Sequence, residues 1–199
     1  MDRRTARAER SKSALKAAFL DLFQSREPDD ISVVALCEKA GLNRSTFYAH
    51  YDYMGDLIRD VLWESVKTAF VDPGHQWDLP LEEGGVSRAF IASYLRRFLN
   101  NPTLRRFCTC ANSENYRTLL IRAHVDLTLG PSKDLTAYYT AYFHNAGVLN
   151  LLLEWLNNGM PIPEESVVEI IHEFSKVMYQ SRTEHAPAAQ AAEVSPFLF

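Results

Sequence analysis

Within the stretch Ser32-Val-Val-Ala-Leu-Cys-Glu-Lys-Ala-Gly-Leu-Asn-Arg-Ser-Thr-Phe-Tyr-Ala-His-Tyr, five polar and aromatic side chains crowd together: Arg44, Ser45, Thr46, Tyr48 and His50. Phe47 and Tyr51 stand four apart, the spacing that puts two side chains on one face of a helix, and they would anchor its inner side. Arg44, Ser45, Thr46, Tyr48, Ala49 and His50 are then left on or near the outer face. A guanidinium, two hydroxyls, a phenol and an imidazole can hydrogen-bond to phosphates and to base edges in a major groove. A helix this short is of little use as packing material alone.

The remaining reactive side chains form no such constellation. Cys108-Thr-Cys110 suggests a redox or metal pair, but no second cysteine pair or histidine stands near it. Three cysteines, Cys37, Cys108 and Cys110, are too few and of the wrong parity for a disulfide framework, so buried, reduced thiols are expected. His172-Glu173 lacks the second histidine of a zinc-protease motif, and the six histidines are scattered. There is no G-x-G-x-x-G, P-loop or G-x-S-x-G. The sequence reads as that of a protein that is not an enzyme, with no cofactor and no metal expected.

Helices must position the polar cluster, because helical periodicity dominates and strand alternation is nowhere sustained. The first helix is expected from about Ala8 to Gln24, with Leu15, Ala18, Phe19, Leu22 and Phe23 on one face, interrupted by Pro28-Asp29-Asp30. Ser32 offers an N-cap hydroxyl to a short helix, Val33 to Ala40, with Val33, Leu36 and Cys37 inward. Gly41 ends it, Leu42 packs the turn, and Asn43 caps a third helix from Arg44 to about Tyr51. Two short helices joined by Gly-Leu-Asn match a helix-turn-helix. Longer helices follow at about Gly55–Val71, Ser87–Asn100, Thr103–Cys110 and Ser113–Leu129. The Pro-, Gly- and acid-rich stretch from Asp72 to Gly85 reads as a loop.

The most apolar segment runs from Ser132, read as an N-cap, to Asn158. Gly159-Met160-Pro161 ends it, and a last helix reaches about Ser181. Both late helices are apolar on more than one face, so they must be covered on two sides. In a chain of 199 residues this predicts a homodimer built on the helices at about 132–158 and 164–181. Residues 185–199 are Ala/Pro-rich and read as a mobile tail.

Composition agrees with a globular protein: 47% apolar and 23% charged residues. No apolar run reaches the roughly 18–20 residues needed to cross a bilayer, so no membrane partner is expected. The basic, polar start MDRRTARAERSK is not a secretory signal, which leaves the cytoplasm as the expected location. The net charge of −4 is unevenly spread: residues 1–50 carry nine Lys/Arg against seven Asp/Glu, and residues 51–199 carry twelve against eighteen. A basic start on an acidic body suits a localised phosphate contact by Arg4 and Arg7.

Ser32, Ala40-Gly41-Leu42, Thr46-Phe47-Tyr48 and His50-Tyr51 together resemble the N-terminal domain of the TetR/AcrR family of bacterial transcription regulators. The likeness covers about residues 10–62. It implies an all-α fold, with an N-terminal three-helix DNA-binding domain containing a helix-turn-helix at 1–53 and a larger helical ligand-binding and dimerisation domain at 54–184. It also implies that Thr46, Tyr48 and His50 contact the phosphate backbone of a palindromic double-stranded operator and that Arg44 and Ser45 approach base edges, with Ser32 a further DNA-binding candidate. A phenol on a short helix reaches a phosphate oxygen while its ring braces the helix. An arginine bidentate to guanine gives about 1–3 kcal/mol of discrimination.

One departure stands out. Where the family has a Lys opening the fourth helix and gripping a phosphate, this chain has Met54, with Asp52 and Asp56 beside it. The run Tyr139, Phe143, Gly147, Trp155-Leu156 and Gly159 is similar, more loosely, to the C-terminal domain of Firmicutes-type members. Family likeness implies a small-molecule effector held among the middle helices, for which Tyr94, Phe98, Tyr116, His124, Tyr139 and Phe143 are the candidate lining. The expected function is a dimeric DNA-binding regulator, a repressor released by its ligand. The rival expectation, motivated by Met54 and the acidic body, is a protein of this fold that acts through a protein partner.

Overall fold

The computed structural model describes the backbone of residues 3–70, 81–129 and 134–185, with side chains over 4–70, 82–127 and 134–176. The described chain is mostly helical. In order come α1 (Arg3–Phe23), a 3-10 turn at Pro28–Asp30, α2 (Val33–Ala40), α3 (Arg44–Tyr48) and α4 (Met54–Phe70). After them come strands β1 (Leu81–Glu82) and β2 (Gly85–Val86), then α5 (Arg88–Asn100), α6 (Pro102–Thr109), α7 (Ser113–Leu129), α8 (Leu135–Asn157) and α9 (Glu164–His185).

Local chemistry sets several of these boundaries. Ser32 Oγ accepts from the Ala35 N–H at 3.2 Å and so satisfies an orphan donor at the start of α2. Gly41 closes α2 at φ 65°, ψ 32°, and the Leu42 N–H returns to the Cys37 carbonyl at 2.9 Å. Asn43 occupies the N-cap position of α3 with extended backbone, but its side chain makes no capping bond. Asn101 caps α6 through Leu104 N–H, with Pro102 opening that helix.

Three sequence expectations need correction. The first helix begins at Arg3 instead of Ala8, so the basic run is not an arm ahead of it: Arg4 and Arg7 ride on its first turns. Residues 81–86, expected in a loop, form a small antiparallel hairpin with Leu81 opposite Val86 and Glu82 opposite Gly85. The cap of α8 is Asp134, whose carboxylate accepts from the Thr136 and Ala137 N–H groups at 2.9 and 3.2 Å. Ser132, most of the loop from Asp72, and all of the tail beyond residue 185 lie outside the described residues.

One continuous cluster of buried apolar side chains runs from Leu15, Phe19 and Phe23 of α1, through Leu36, Phe47 and Leu57, to Phe107 of α6 and Leu149 of α8. Phe107 sits at the seam. Its ring centroid lies 4.4 Å from Phe23 and 6.3 Å from Phe19. Arg106 reinforces the seam by donating to the Phe23 carbonyl at 2.9 Å and the Arg26 carbonyl at 3.2 Å. α1–α3 therefore do not float on a linker; α4 and α6 weld them to the body.

At the far end the hairpin docks on α9. The hydroxyl of Ser175 accepts from the Val86 N–H at 2.8 Å and donates to the His172 carbonyl at 2.6 Å, while His172 Nδ1 donates to the Val86 carbonyl at 2.7 Å. Arg88 pairs with Glu82 at 2.8 Å and Glu169 at 2.7 Å around that contact. No helix among the described residues is long and apolar enough to cross a membrane.

Candidate nucleic-acid interface

α3 ends at Tyr48, short of the expected Tyr51, and its inner side is fixed first, by Phe47 and by Tyr51 just beyond it. Phe47 is fully buried and Tyr51 nearly so, with ring centroids 5.7 Å apart. The Tyr51 hydroxyl donates to Asp60 Oδ2 of α4 at 2.8 Å, and Lys12 of α1 pairs with the same carboxylate at 2.9 Å. Burial alone would raise the Asp60 carboxyl. The hydrogen bonds from Lys12 and Tyr51, with the charge of Lys16, outweigh it and hold Asp60 below its ordinary value. α1, α4 and the segment that follows α3 thus meet on one carboxylate, which clamps the end of α3 in place.

With Phe47 and Tyr51 turned inward, the outer face is open. Arg44 and Ser45 are exposed, Tyr48 is 50% exposed, and Thr46 and His50 are half-buried. The Tyr48 ring lies edge-on to Phe47 at 5.3 Å, so the core braces a phenol that is half exposed. Ser32 is exposed at the start of α2, and Arg4 and Arg7 are exposed on α1. Lys12 is a different case, since it is committed to Asp60.

Met54 is half-buried and packs against the core at the start of α4. It forms part of the wall of a solvent-open cleft of about 300 Å³ between the 3-10 turn, α4 and α7. Beside it, Asp56 Oδ2 accepts from the Asp52 and Tyr53 N–H groups at 3.3 and 3.4 Å, and Arg59 pairs with Asp56 at 3.1 Å. Asp56 is therefore spent on the helix start, where a carboxylate is favourable.

The aromatic cluster expected among the middle helices divides. Tyr94, Phe98 and His124 come together beside Asn145, with Phe70 stacked on Tyr94 at 4.1 Å. The voids there hold about 10 Å³ each, room for no more than a single water. Burial pushes His124 down to about 4, and its Nδ1 donates to the Leu120 carbonyl at 2.8 Å. Tyr116 is elsewhere, at the cleft, donating to Asp29 Oδ1 at 3.1 Å. Tyr139 and Phe143 are 66% and 63% exposed on the outer face of α8. The structure does not bring them to the cluster, because their four-residue spacing puts them opposite the buried stripe Ala141, Asn145, Leu149 and Leu152.

Cys37, Cys108 and Cys110 are buried and unbridged, and burial pushes Cys108 up to about 12, so it stays a thiol. Sequence reasoning missed the Asp60 clamp, the Arg106 seam and the cleft. Each joins residues far apart in the chain, and periodicity carries no signal for such pairings. No model of a known protein family matches the chain, and no curated protein matches it significantly.

Proposed function

We propose that this protein is a dimeric, cytoplasmic DNA-binding transcription regulator of the TetR/AcrR kind, a repressor whose hold on a palindromic operator is altered by a small molecule. The observation that carries the reading is the division of α3 and the residues just beyond it: Phe47 and Tyr51 are locked into the core while Arg44, Ser45 and Tyr48 are presented to solvent. A short helix with a braced inner face and a polar outer face suits insertion into a major groove. Thr46, Tyr48, His50 and Ser32 are the phosphate contacts, Arg44 and Ser45 the base readers, and Arg4 and Arg7 flanking cations.

A dimer is supported by Leu135, Tyr139 and Phe143 on α8, with Ile170 and Phe174 on α9, all exposed apolar side chains on neighbouring helices. Two copies joined there would present two α3 helices to half-sites about one helical turn (roughly 34–36 Å) apart. The second reading, action through a protein partner, draws support from Met54, which leaves the start of α4 without its phosphate-gripping cation.

Gel shifts against the DNA flanking the protein's own gene test the proposal. Wild type should bind with an affinity that falls steeply with salt, and Tyr48→Ala should weaken binding at every salt concentration. Met54→Lys should tighten binding and steepen the salt dependence by about one unit. Equal binding by wild type and Tyr48→Ala would remove α3 from the interface.

A further inference from the structure

We propose that the cleft at the junction of the 3-10 turn, α4 and α7 is a binding site for a small amphipathic amine, a compact apolar body carrying a cationic nitrogen. As a regulatory site it rests on the function proposed above; as a binding site it does not. At about 300 Å³ the cleft falls at the lower end of ligand-site volumes, and it is roomy where the middle-helix cluster is closed.

The lining of the cleft combines two kinds of chemistry. Met54 and Ile58 of α4, Leu119 of α7, and Ile31 supply an apolar part of its lining. Methionine suits such a lining, since its unbranched thioether adapts to the shape it meets. The lining also includes Asp29, the one charged residue in it among the described residues. Its carboxylate is oriented by two neutral donors, Tyr116 Oη on Oδ1 at 3.1 Å and Asn112 Nδ2 on Oδ2 at 2.6 Å. Among the described residues no cation pairs with it. Each oxygen retains a second acceptor position, and an ammonium is the donor that both completes the hydrogen bonding and neutralises the charge. A carboxylate ligand would meet repulsion there, and a neutral alcohol would gain only a weaker hydrogen bond.

The site also has a position that matters. Asp29 lies in the lead-in to α2, Met54 is the first residue of α4, and Leu119 and Tyr116 belong to the body. A molecule wedged between them changes the spacing of α4 and α7, and α3 follows α4 through the Tyr51–Asp60 bond.

The test uses the full chain labelled with ¹³C at its methionine methyls. There are four, Met1, Met54, Met160 and Met178, so Met54 reports on the cleft and Met160 serves as a distant control. Titration with 2-phenylethylamine should move the Met54 signal saturably and leave Met160 in place, with phenylacetate inert and 2-phenylethanol weaker. Asp29→Asn, which keeps an acceptor for Tyr116, should weaken the amine about tenfold or more. Leu119→Trp, which fills the apolar part of the cleft, should abolish the shift. Circular dichroism establishes that both variants fold. No saturable movement of Met54, equal response to all three probes, or undiminished binding by Asp29→Asn would overturn the proposal. If Met54 titrates but the chain binds no operator, the regulator reading falls and the site stands; the converse result removes the site alone.

Discussion

Asp60 sits beneath the candidate interface without belonging to its outer face. Its carboxylate accepts from Tyr51 and Lys12 and so ties α3 and α1 to α4. Because its folded value is lowered from the ordinary 3.8, its contribution is fully present above that pH and is lost as pH falls through the lowered value. Asp60→Asn should therefore destabilise the protein at neutral pH, with the difference from wild type shrinking as pH drops below about 4. Thermal midpoints of the two proteins across that range check it. A difference that persisted undiminished in acid would mean that Asp60 acts by shape and not by charge. The same residue shows where sequence reading stops. Phe47 and Tyr51 as inward anchors are legible from four-residue spacing, but their lock is not, because Asp60 occupies an ordinary helical position and its partner Lys12 lies 48 residues upstream.

At the scale of elements, helix boundaries marked by local chemistry were legible in advance. Ser32 and Gly41 bracket α2 because a hydroxyl cap and a left-handed glycine are features of a few neighbouring residues. The hairpin at 81–86 was not, since its two-residue strands show no alternation and its stability comes from α9, nearly ninety residues away. The sequence does not separate the exposed Tyr139 and Phe143 from pocket-lining aromatics, because an apolar, aromatic helix does not reveal which of its faces a neighbour covers. Gly85 shows how tightly the hairpin docks. A Cβ there would lie 2.8 Å from Ser175 Oγ and 2.9 Å from the His172 carbonyl oxygen, and the carbonyl belongs to the helix backbone and cannot swing aside. Gly85→Ala should lift the hairpin and lose the Val86 bonds to Ser175 and His172, at a cost of about 1–3 kcal/mol. Denaturant midpoints at unchanged slope would register it. A neutral result would mean that the hairpin tolerates displacement from α9.

Two properties belong to the molecule as a whole. The first is its response to acid. His124 and His144 are both pushed down to about 4 by burial, far below their ordinary 6.5. Between those values the unfolded chain binds protons that the folded chain refuses, so stability falls as pH falls, by about 1.4 kcal/mol per pH unit for each histidine. Calorimetry should show this slope, and His124→Gln with His144→Gln should flatten it. The second is the self-association proposed above. His144 also bears on its geometry, for its ring lies 6.3 Å from Phe174, which is exposed on α9 with Ile170, as Leu135, Tyr139 and Phe143 are on α8. An exposed apolar surface of this kind is the sort that a partner covers, and in the proposed dimer a second copy would present the matching surface through a two-fold axis. Phe143→Asp places a charge in the middle of that surface, at a position 63% exposed in the single chain, so the fold of each copy should survive. Light scattering at micromolar concentration should give a dimer mass for wild type and a monomer mass for the variant, with unchanged helical content. The variant should also lose most of its operator affinity, because two linked half-site contacts reinforce one another and a lone α3 does not. A wild-type chain that runs as a monomer would remove the dimer and, with it, the spacing expected of the operator.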